Sequence, residues 1–111
     1  MSDQLGTVFA ALSDPTRRRM LDVLMLEGMT SVPRLTGELP ITRQAVAKHL
    51  AALSQAGLIE RADGDRCGRE VRYQLTPHGL RDATDWLVRA DAAWEQRLAR
   101  LKREVEGRVR P

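Results

Sequence analysis

The stretch Ile41-Thr-Arg-Gln-Ala-Val-Ala-Lys-His-Leu-Ala-Ala-Leu-Ser-Gln-Ala-Gly-Leu-Ile59 decides the fold of this 111-residue chain. Thr42 belongs to the residue types that cap helix N-termini, and Gly57 to those that end helices. Between them, apolar residues recur at spacings of four and three, as on one buried face of a helix. These residues are Val46, Leu50 and Leu53. The stretch therefore predicts a helix from Arg43 to about Ala56 with one buried face.

The opposite face of this predicted helix is polar, with small side chains that permit close approach. Its residues are Gln44, Lys48, Ala51 and Gln55, flanked by Arg43 and Ala47. All charged residues in the stretch are basic, which favours contact with phosphate. In the major groove of DNA, glutamine bonds to adenine and arginine to guanine, whereas threonine bonds to phosphate or a base edge. The pattern favours a DNA-recognition helix over the alternative of a solvated polar face. We predict that its first turn contacts DNA: Thr42, Arg43, Gln44 and Ala45.

Two helices are predicted near the start of the chain. The apolar residues Leu5, Val8, Phe9 and Leu12 are spaced by three and four, which indicates a first amphipathic helix. A second helix is predicted from about Pro15 to Glu27, because Asp14 is a good N-cap and Gly28 can end it. Its first turns contain the run Arg17-Arg18-Arg19. For one of these arginines we expect a phosphate contact or, at least as readily, pairing with a neighbouring carboxylate such as Asp14 or Asp22.

A third short helix is predicted from about Pro33 to Glu38, after a brief extended piece at Thr30–Val32. The break Leu39-Pro40-Ile41 separates it from the fourth helix, since proline disfavours helical geometry in the residue before it. Two helices joined by a tight break form a helix-turn-helix, here over about residues 33–57.

A β-hairpin is predicted after the fourth helix, because Leu58–Arg61 and Val71–Leu75 are typical of short strands. The turn between them, Asp63-Gly-Asp-Arg-Cys-Gly-Arg69, is punctuated by glycines. A hairpin in this position is a wing, which we place at about residues 58–76. Its arginines are candidates for phosphate or minor-groove contacts, although a solvated charged tip is the alternative: Arg66, Arg69 and Arg72.

A long last helix is predicted from about residue 77 to 106. Its apolar residues follow a nearly heptad spacing: Leu80, Ala83, Leu87, Ala90, Trp94, Leu98, Leu101 and Val105. A helix of that length is about 40 Å long and overhangs a domain of this size, so its apolar seam needs a partner. A second copy of the chain is the simplest candidate, and the predicted fold is mostly α with a small β-hairpin, namely a winged helix-turn-helix with a long C-terminal dimerisation helix.

Composition limits the remaining function classes. The length fits a single domain, residues 1–111, and the formal net charge of +3 is only mildly basic. The single cysteine, Cys67, cannot form an internal disulfide, which fits a reducing compartment. The sequence contains no signal peptide pattern and no apolar run of membrane-spanning length, so we expect a soluble, cytoplasmic protein without membrane contact. It also contains no nucleophile–base pair, metal cluster or phosphate loop, so we expect no enzyme and no cofactor.

Two stretches resemble the ArsR-type regulators, the arsenical-resistance-repressor-like family. They are Ala11-Leu-Ser-Asp-Pro-Thr-Arg-Arg-Arg-Met-Leu-Asp-Val-Leu24 and the stretch from Ile41 to Ile59, and the wing with Tyr73-Gln-Leu-Thr76 fits as well. The resemblance implies a homodimeric winged helix that represses genes from a palindromic operator. It implies recognition contacts at Thr42, Arg43, Gln44, Lys48 and His49. It also implies dimerisation through the first and last helices, for which we name Leu5, Val8, Phe9, Leu87, Trp94, Leu98 and Leu101.

The sequence departs from the metal-sensing members of that family. The region of the third helix, Pro33-Arg-Leu-Thr-Gly-Glu-Leu39, lacks a Cys-x-Cys motif. The predicted last helix has Asp82, Asp85 and Asp91 but no histidine beyond His78 to complete an Asp/His metal set. We therefore expect a non-metal-sensing branch with an unknown effector. Cys67 is an oxidant sensor or, as we favour, a chance surface cysteine. The alternative function is a winged-helix protein-interaction module that does not bind DNA.

Overall fold

The structure, a computed structural model, describes residues 3–62 and 71–109. The chain divides into two compact units, one up to Leu80 and one from Arg81 onward. The elements are α1 Gln4–Leu12, α2 Pro15–Glu27, α3 Val32–Glu38, α4 Arg43–Gln55, β1 Ile59–Arg61, β2 Tyr73–Leu75 and α5 Arg81–Val109. This order confirms the predicted mostly helical fold with a two-stranded antiparallel hairpin and a long C-terminal helix.

Capping residues set the ends of the first two helices. The Asp3 carboxylate accepts a hydrogen bond of 2.9 Å from the backbone N–H of Gly6, which caps α1. The Asp14 carboxylate caps α2 by accepting from Thr16 and Arg17, and Pro15 occupies the first turn. Gly28, with φ of +84°, ends α2 in a conformation that favours glycine.

The core of the first unit is aliphatic and is centred on α2, α3 and α4. Its fully buried large side chains are Met20, Leu24, Leu35, Val46, Leu53 and Leu58. The helix α2 packs against α1, α4 and β2, while α3 packs against α4. The predicted buried stripe of the fourth helix therefore lies in this core, which holds the helix-turn-helix together.

The turn of the helix-turn-helix is short and hydrogen-bonded. Ser31 caps α3 by accepting from the N–H of Arg34, and the N–H of Leu39 donates to the carbonyl of Leu35 at 2.9 Å. Leu39 then turns to extended geometry, and Thr42 caps the next helix. The chain thus leaves α3 and starts α4 with the tight break that the proline of the sequence predicts.

The hairpin pairs Ile59 with Leu75 and Arg61 with Tyr73. Thr30 forms an additional antiparallel bridge with Tyr73, with hydrogen bonds of 3.0 and 2.8 Å in the two directions. This bridge and the extended backbone of Ser31 confirm the brief extended piece at Thr30 and Ser31, whereas Val32 is already the first residue of α3. The predicted wing turn, with Arg66, Cys67 and Arg69, lies outside the described residues.

The last helix begins at Arg81, later than the start predicted near residue 77. The reason is that Thr76 is still hydrogen-bonded to the segment just before β1. Its N–H donates to the carbonyl of Leu58 at 3.0 Å, and its hydroxyl donates to the carbonyl of Gly57 at 2.8 Å. Gly79 also passes so close that an added Cβ would lie 2.6 Å from the Gly57 carbonyl oxygen. Within the described part of the chain, no helix is both long and apolar enough to span a bilayer.

Candidate nucleic-acid interface

One face of the candidate recognition helix α4 is buried in the core, and the opposite face is exposed to solvent. Val46 and Leu53 have no exposed surface and Leu50 is 2% exposed, so all three are fixed in the core. The side chains of Arg43, Gln44 and Lys48 are exposed, as are those of Ala47, Ala51 and Gln55. The sequence-predicted polar face therefore exists as a continuous surface on a helix that cannot rotate without exposing its core residues.

The N-terminal end of α4 combines capping with donor groups. The Thr42 hydroxyl oxygen accepts from the N–H of Ala45 at 3.1 Å, and its hydrogen remains available to donate to a phosphate oxygen. Arg43 and Gln44 follow in the first turn, where unpaired backbone N–H groups and the helix dipole also favour anions. This end of the helix presents a positive, hydrogen-bonding surface of the kind that docks against a DNA backbone.

His49 lies half-buried beside the anchored face of α4, as the sequence predicts. Its Nδ1 lies 3.4 Å from Nη1 of Arg17, a residue 32 positions earlier in the chain. Spacing along the sequence gave no signal for this contact, because it depends on how α2 packs against α4.

The arginine run at the start of α2 caps the end of α1. Arg17 donates from Nε to the carbonyl of Ala11 at 2.7 Å, and Arg18 donates from Nη1 to the carbonyl of Leu12 at 2.6 Å. The last carbonyls of a helix lack partners within it and carry partial negative charge, so cations are favoured there. Arg17 also approaches the Asp14 carboxylate to 4.0 Å, at the outer limit of an ion pair. The expected pairing with a carboxylate is thus secondary to the backbone contacts.

The Asp14 carboxylate is stabilised in its charged form. The hydrogen bond from the backbone N–H of Arg17 is the largest cause that lowers the pKa of Asp14 below its ordinary value. The N–H of Thr16 and the nearby His49 and Arg17 lower that pKa further, and partial burial opposes them. The carboxylate that caps α2 therefore stays ionised at neutral pH.

At the base of the hairpin, the exposed Arg72 borders a surface cleft of about 220 Å³. The other residues lining this cleft are Glu27, Met29, Thr30, Ser31 and Arg34. Arg34 joins α2 to α3, because it bonds to the carboxylates of both Glu27 and Glu38. The hydrogen bond from Arg34 lowers the pKa of Glu27.

The predicted dimerisation residues differ in exposure. Val8 is 3% exposed, so its side chain packs within its own chain, whereas Leu5 and Phe9 are half-buried. On α5, the large apolar side chains of the predicted seam are between 41% and 57% exposed: Leu87, Trp94, Leu98, Leu101 and Val105. Exposed apolar surface of this extent is typical of an interaction face.

The described residues contain no group of three or more histidine, cysteine, aspartate or glutamate side chains placed to hold a metal ion. The geometry of the described part is instead that of a binding protein. An anchored recognition helix, a preceding short helix and a following hairpin define the class of winged helix-turn-helix DNA-binding proteins.

Comparisons with known proteins agree with that class. A family described as "Helix-turn-helix domain" matches residues 12–62. The transcriptional repressor SdpR of Bacillus subtilis is 33% identical over 84 residues, which cover 76% of this chain and 89% of that protein. The arsenic resistance transcriptional regulator ArsR1 of Pseudomonas putida is 37% identical over 70 residues, covering 63% of this chain and 52% of its own length.

A solved structure extends the likeness to nearly the whole chain. An ArsR-like transcriptional regulator from Rhodococcus sp. RHA1 superposes with a TM-score of 0.78 and 41% identity, over 94% of this chain and 92% of that one. The chain belongs to the ArsR-type family of winged helix-turn-helix regulators and is a DNA-binding transcriptional regulator. The alternative of an interaction module without DNA binding is not favoured, and the relatives are regulators rather than enzymes.

Proposed function

We propose that the protein is a homodimeric repressor that occupies a palindromic operator in the bacterial cytoplasm. The observation that carries this proposal is the exposed polar face of α4, held in place by Val46, Leu50 and Leu53. Repression is further supported by the curated relative SdpR, which is named as a transcriptional repressor. Two copies of such a helix, related by a two-fold axis, contact two half-sites about one helical turn of DNA apart, or a multiple of it.

Within this proposal the residues of α4 have distinct roles. Arg43 and Gln44 read base edges, Thr42 donates to a phosphate or base edge, and Ala45 lies close to the bases. Lys48 contacts a phosphate, as does His49. Arg72 extends the phosphate contacts along the base of the wing, and we assign the same role to Arg66 and Arg69.

The apolar seam of α5 supports the dimer. Leu87, Trp94, Leu98 and Leu101 lie on one side of a helix of 29 residues, and each remains largely exposed in the single chain. Fully burying a large apolar side chain is worth about 1.5–3 kcal/mol, and these side chains have about half of their surface left to bury, before the cost of association. Leu5 and Phe9 of α1, which are half-buried, add to the same interface in our proposal.

The charges along α5 favour an antiparallel pair. In its first half the acidic residues Asp82, Asp85, Asp91 and Glu95 outnumber Arg81 and Arg89. In its second half the basic residues Arg97, Arg100, Lys102, Arg103 and Arg108 outnumber Glu104 and Glu106. An antiparallel arrangement places the acidic half of one helix beside the basic half of the other, whereas a parallel one places like charges together.

The DNA-binding part is tested by selecting fragments from random DNA with the purified protein and measuring affinity for the selected operator at several salt concentrations. We expect a two-fold symmetric sequence, a relaxed base preference in Gln44→Ala, and in Lys48→Ala a salt slope reduced by about one. Lys102→Ala removes an exposed lysine from α5 and is the control for the loss of one charge, with sedimentation showing that this variant keeps the parent's oligomeric state. The proposal fails if no sequence is enriched, or if both α4 variants bind like the parent.

The orientation of the dimer is tested separately by spin-label distances in a Cys67→Ser background. Labels at position 81 are about 40 Å apart if the two α5 helices are antiparallel about Trp94, but only about 10 Å apart if they are parallel. Labels at Gln96, near the middle of α5, are close in both arrangements and report that the dimer is intact. A short distance at position 81 would overturn the antiparallel assignment.

A further inference from the structure

The guanidinium of Arg17 lies where three helices meet. Its Nε donates to the carbonyl of Ala11 at 2.7 Å and its Nη2 to that of Ala10 at 3.2 Å, both in the last turn of α1. Its Nη1 lies 3.4 Å from Nδ1 of His49 on α4. The side chain is 21% exposed, so it is held by two carbonyls and has its remaining nitrogen directed at the recognition helix.

The chemistry of this contact determines where His49 carries its proton. An arginine side chain has donors and no acceptor, so a hydrogen bond between it and an imidazole nitrogen requires a lone pair on that nitrogen. The 3.4 Å contact is a hydrogen bond only if Nδ1 of His49 accepts it, and in a neutral imidazole the proton is then on Nε2. Nε2 forms no hydrogen bond with the described residues, and it lies on the ring edge away from Nδ1.

We propose that Arg17 is a positioning residue for DNA binding that fixes His49 in its Nε2–H tautomer, so that the half-buried ring presents an N–H donor to a DNA phosphate. The proposal rests on the DNA-binding role proposed for α4. A neutral donor differs from Lys48, the residue before it, because it adds a directed hydrogen bond without adding a charge. In this site Arg17 does not touch DNA; it acts through His49.

The neighbouring Arg18 offers a matched control. It carries the same charge and also caps α1, through a 2.6 Å bond from Nη1 to the carbonyl of Leu12. No hydrogen bond of Arg18 to α4 is found among the described residues. Replacing either arginine by methionine removes one charge and part of the cap on α1, namely two carbonyl bonds for Arg17 and one for Arg18. Only Arg17→Met also removes the partner of Nδ1.

The first test measures the tautomer directly in the DNA-free protein, by long-range proton–nitrogen NMR on isotope-labelled histidine. The chain has only two histidines, so a His78→Gln variant assigns the signals. We expect the Nε2–H form for His49 in the parent and in Arg18→Met, and a mixture of tautomers in Arg17→Met. A proton on Nδ1 of the parent at neutral pH would overturn the proposal, even if the protein binds its operator well.

The second test measures operator affinity in combined variants. We expect Arg17→Met and His49→Ala each to weaken binding roughly tenfold, and the double variant to bind no more weakly than His49→Ala alone. The salt slope should stay at the parent value, because a neutral donor releases no counterion, in contrast to Lys48→Ala.

A glutamine at position 49 separates positioning from a general structural role. Its amide nitrogen donates from close to the place of Nε2 and needs no partner to fix a tautomer. We therefore expect His49→Gln to restore most of the affinity in the Arg17→Met background. If that double variant stays as weak as Arg17→Met, or if Arg18→Met weakens binding equally, Arg17 has only a structural role.

Discussion

The helices α4 and α5 show the same kind of amphipathic pattern but use it differently. In α4, of 13 residues, the apolar stripe is buried within the chain itself, and Leu50, the most accessible of its three anchors, is 2% exposed. In α5, of 29 residues, the apolar seam remains exposed, with Trp94 at 57%. The helix α4 buries its apolar face and exposes a polar one, whereas α5 exposes its apolar face to solvent.

The difference shows that periodicity identifies a buried face but not the molecule that buries it. For α4 that molecule is the chain itself, so its polar face becomes a rigid surface for DNA. For α5 we assign the role to a second copy of the chain. The following predictions test this contrast, from the largest expected effect to the smallest.

Leu53→Ala should cause the largest loss. The side chain is fully buried on the anchored face of α4, so its truncation leaves a cavity and lowers the free energy of unfolding by about 2–5 kcal/mol. Chemical denaturation measures the change, with the exposed Gln55→Ala on the same helix as control. Equal stability of the two variants would show that α4 is not anchored as described.

Trp94→Ala combined with Leu98→Ala should convert the dimer into monomer at concentrations where the parent is dimeric. Central aromatic and aliphatic side chains commonly dominate an interface, and we expect the dimer dissociation constant to rise at least 100-fold. Sedimentation equilibrium measures the constant, and Gln96→Ala, on an exposed position of the same helix, serves as control. If the pair of substitutions leaves the dimer intact, the interface lies elsewhere, most simply on Leu5 and Phe9 of α1.

Thr42→Ala should destabilise the start of α4 by about 1 kcal/mol, since the hydroxyl that accepts from the N–H of Ala45 is lost. Thr42→Ser keeps the hydroxyl and should retain both stability and operator affinity. Thermal unfolding and operator titration of the two variants provide the measurement. A Thr42→Ser protein as impaired as Thr42→Ala would mean that the methyl group, and not the cap, is what matters.

The smallest effect concerns pH and the cap of α2. The pKa of Asp14 in the folded protein lies below its ordinary value of 3.8, mainly because of the N–H of Arg17. Its charged form therefore contributes stability above about pH 4, and this contribution is lost as the pH falls through the lowered pKa. Asp14→Ser retains a cap that does not titrate, so its stability difference from the parent should shrink between pH 6 and pH 2. A difference that stays constant over this range would contradict the assignment.

Local sequence signals were sufficient for most of the fold. The caps Asp14 and Thr42 and the glycines at 28 and 57 mark where helices begin and end, and each depends on backbone geometry within a few residues. The start of α5 was predicted too early, because the bonds from Thr76 to Gly57 and Leu58 span the hairpin and leave no local pattern.

The candidate site could be predicted only in part for the same reason. Spacing on one helix is enough to place Gln44 and Lys48 on the exposed face, and the structure confirms that exposure. The contact of Arg17 with His49 depends on the packing of two helices, and the arginine run gave no sign that two of its members cap α1. The base contacts themselves stay predictions, as do the wing contacts of Arg66 and Arg69.

The first helix is linked to the recognition helix at both of its ends, directly through Gln4 and indirectly through Arg17 of α2. The side-chain amide of Gln4, at the start of α1, donates to the carbonyl of Ala56 just past the end of α4 at 2.6 Å. At its other end, α1 is linked to His49 in the middle of α4 by Arg17 of α2, which donates to the carbonyl of Ala11 and contacts His49. A contact that displaces α1 and thereby moves α4 would change the free energy of DNA binding, and by thermodynamic reciprocity bound DNA would change the strength of that contact by the same amount.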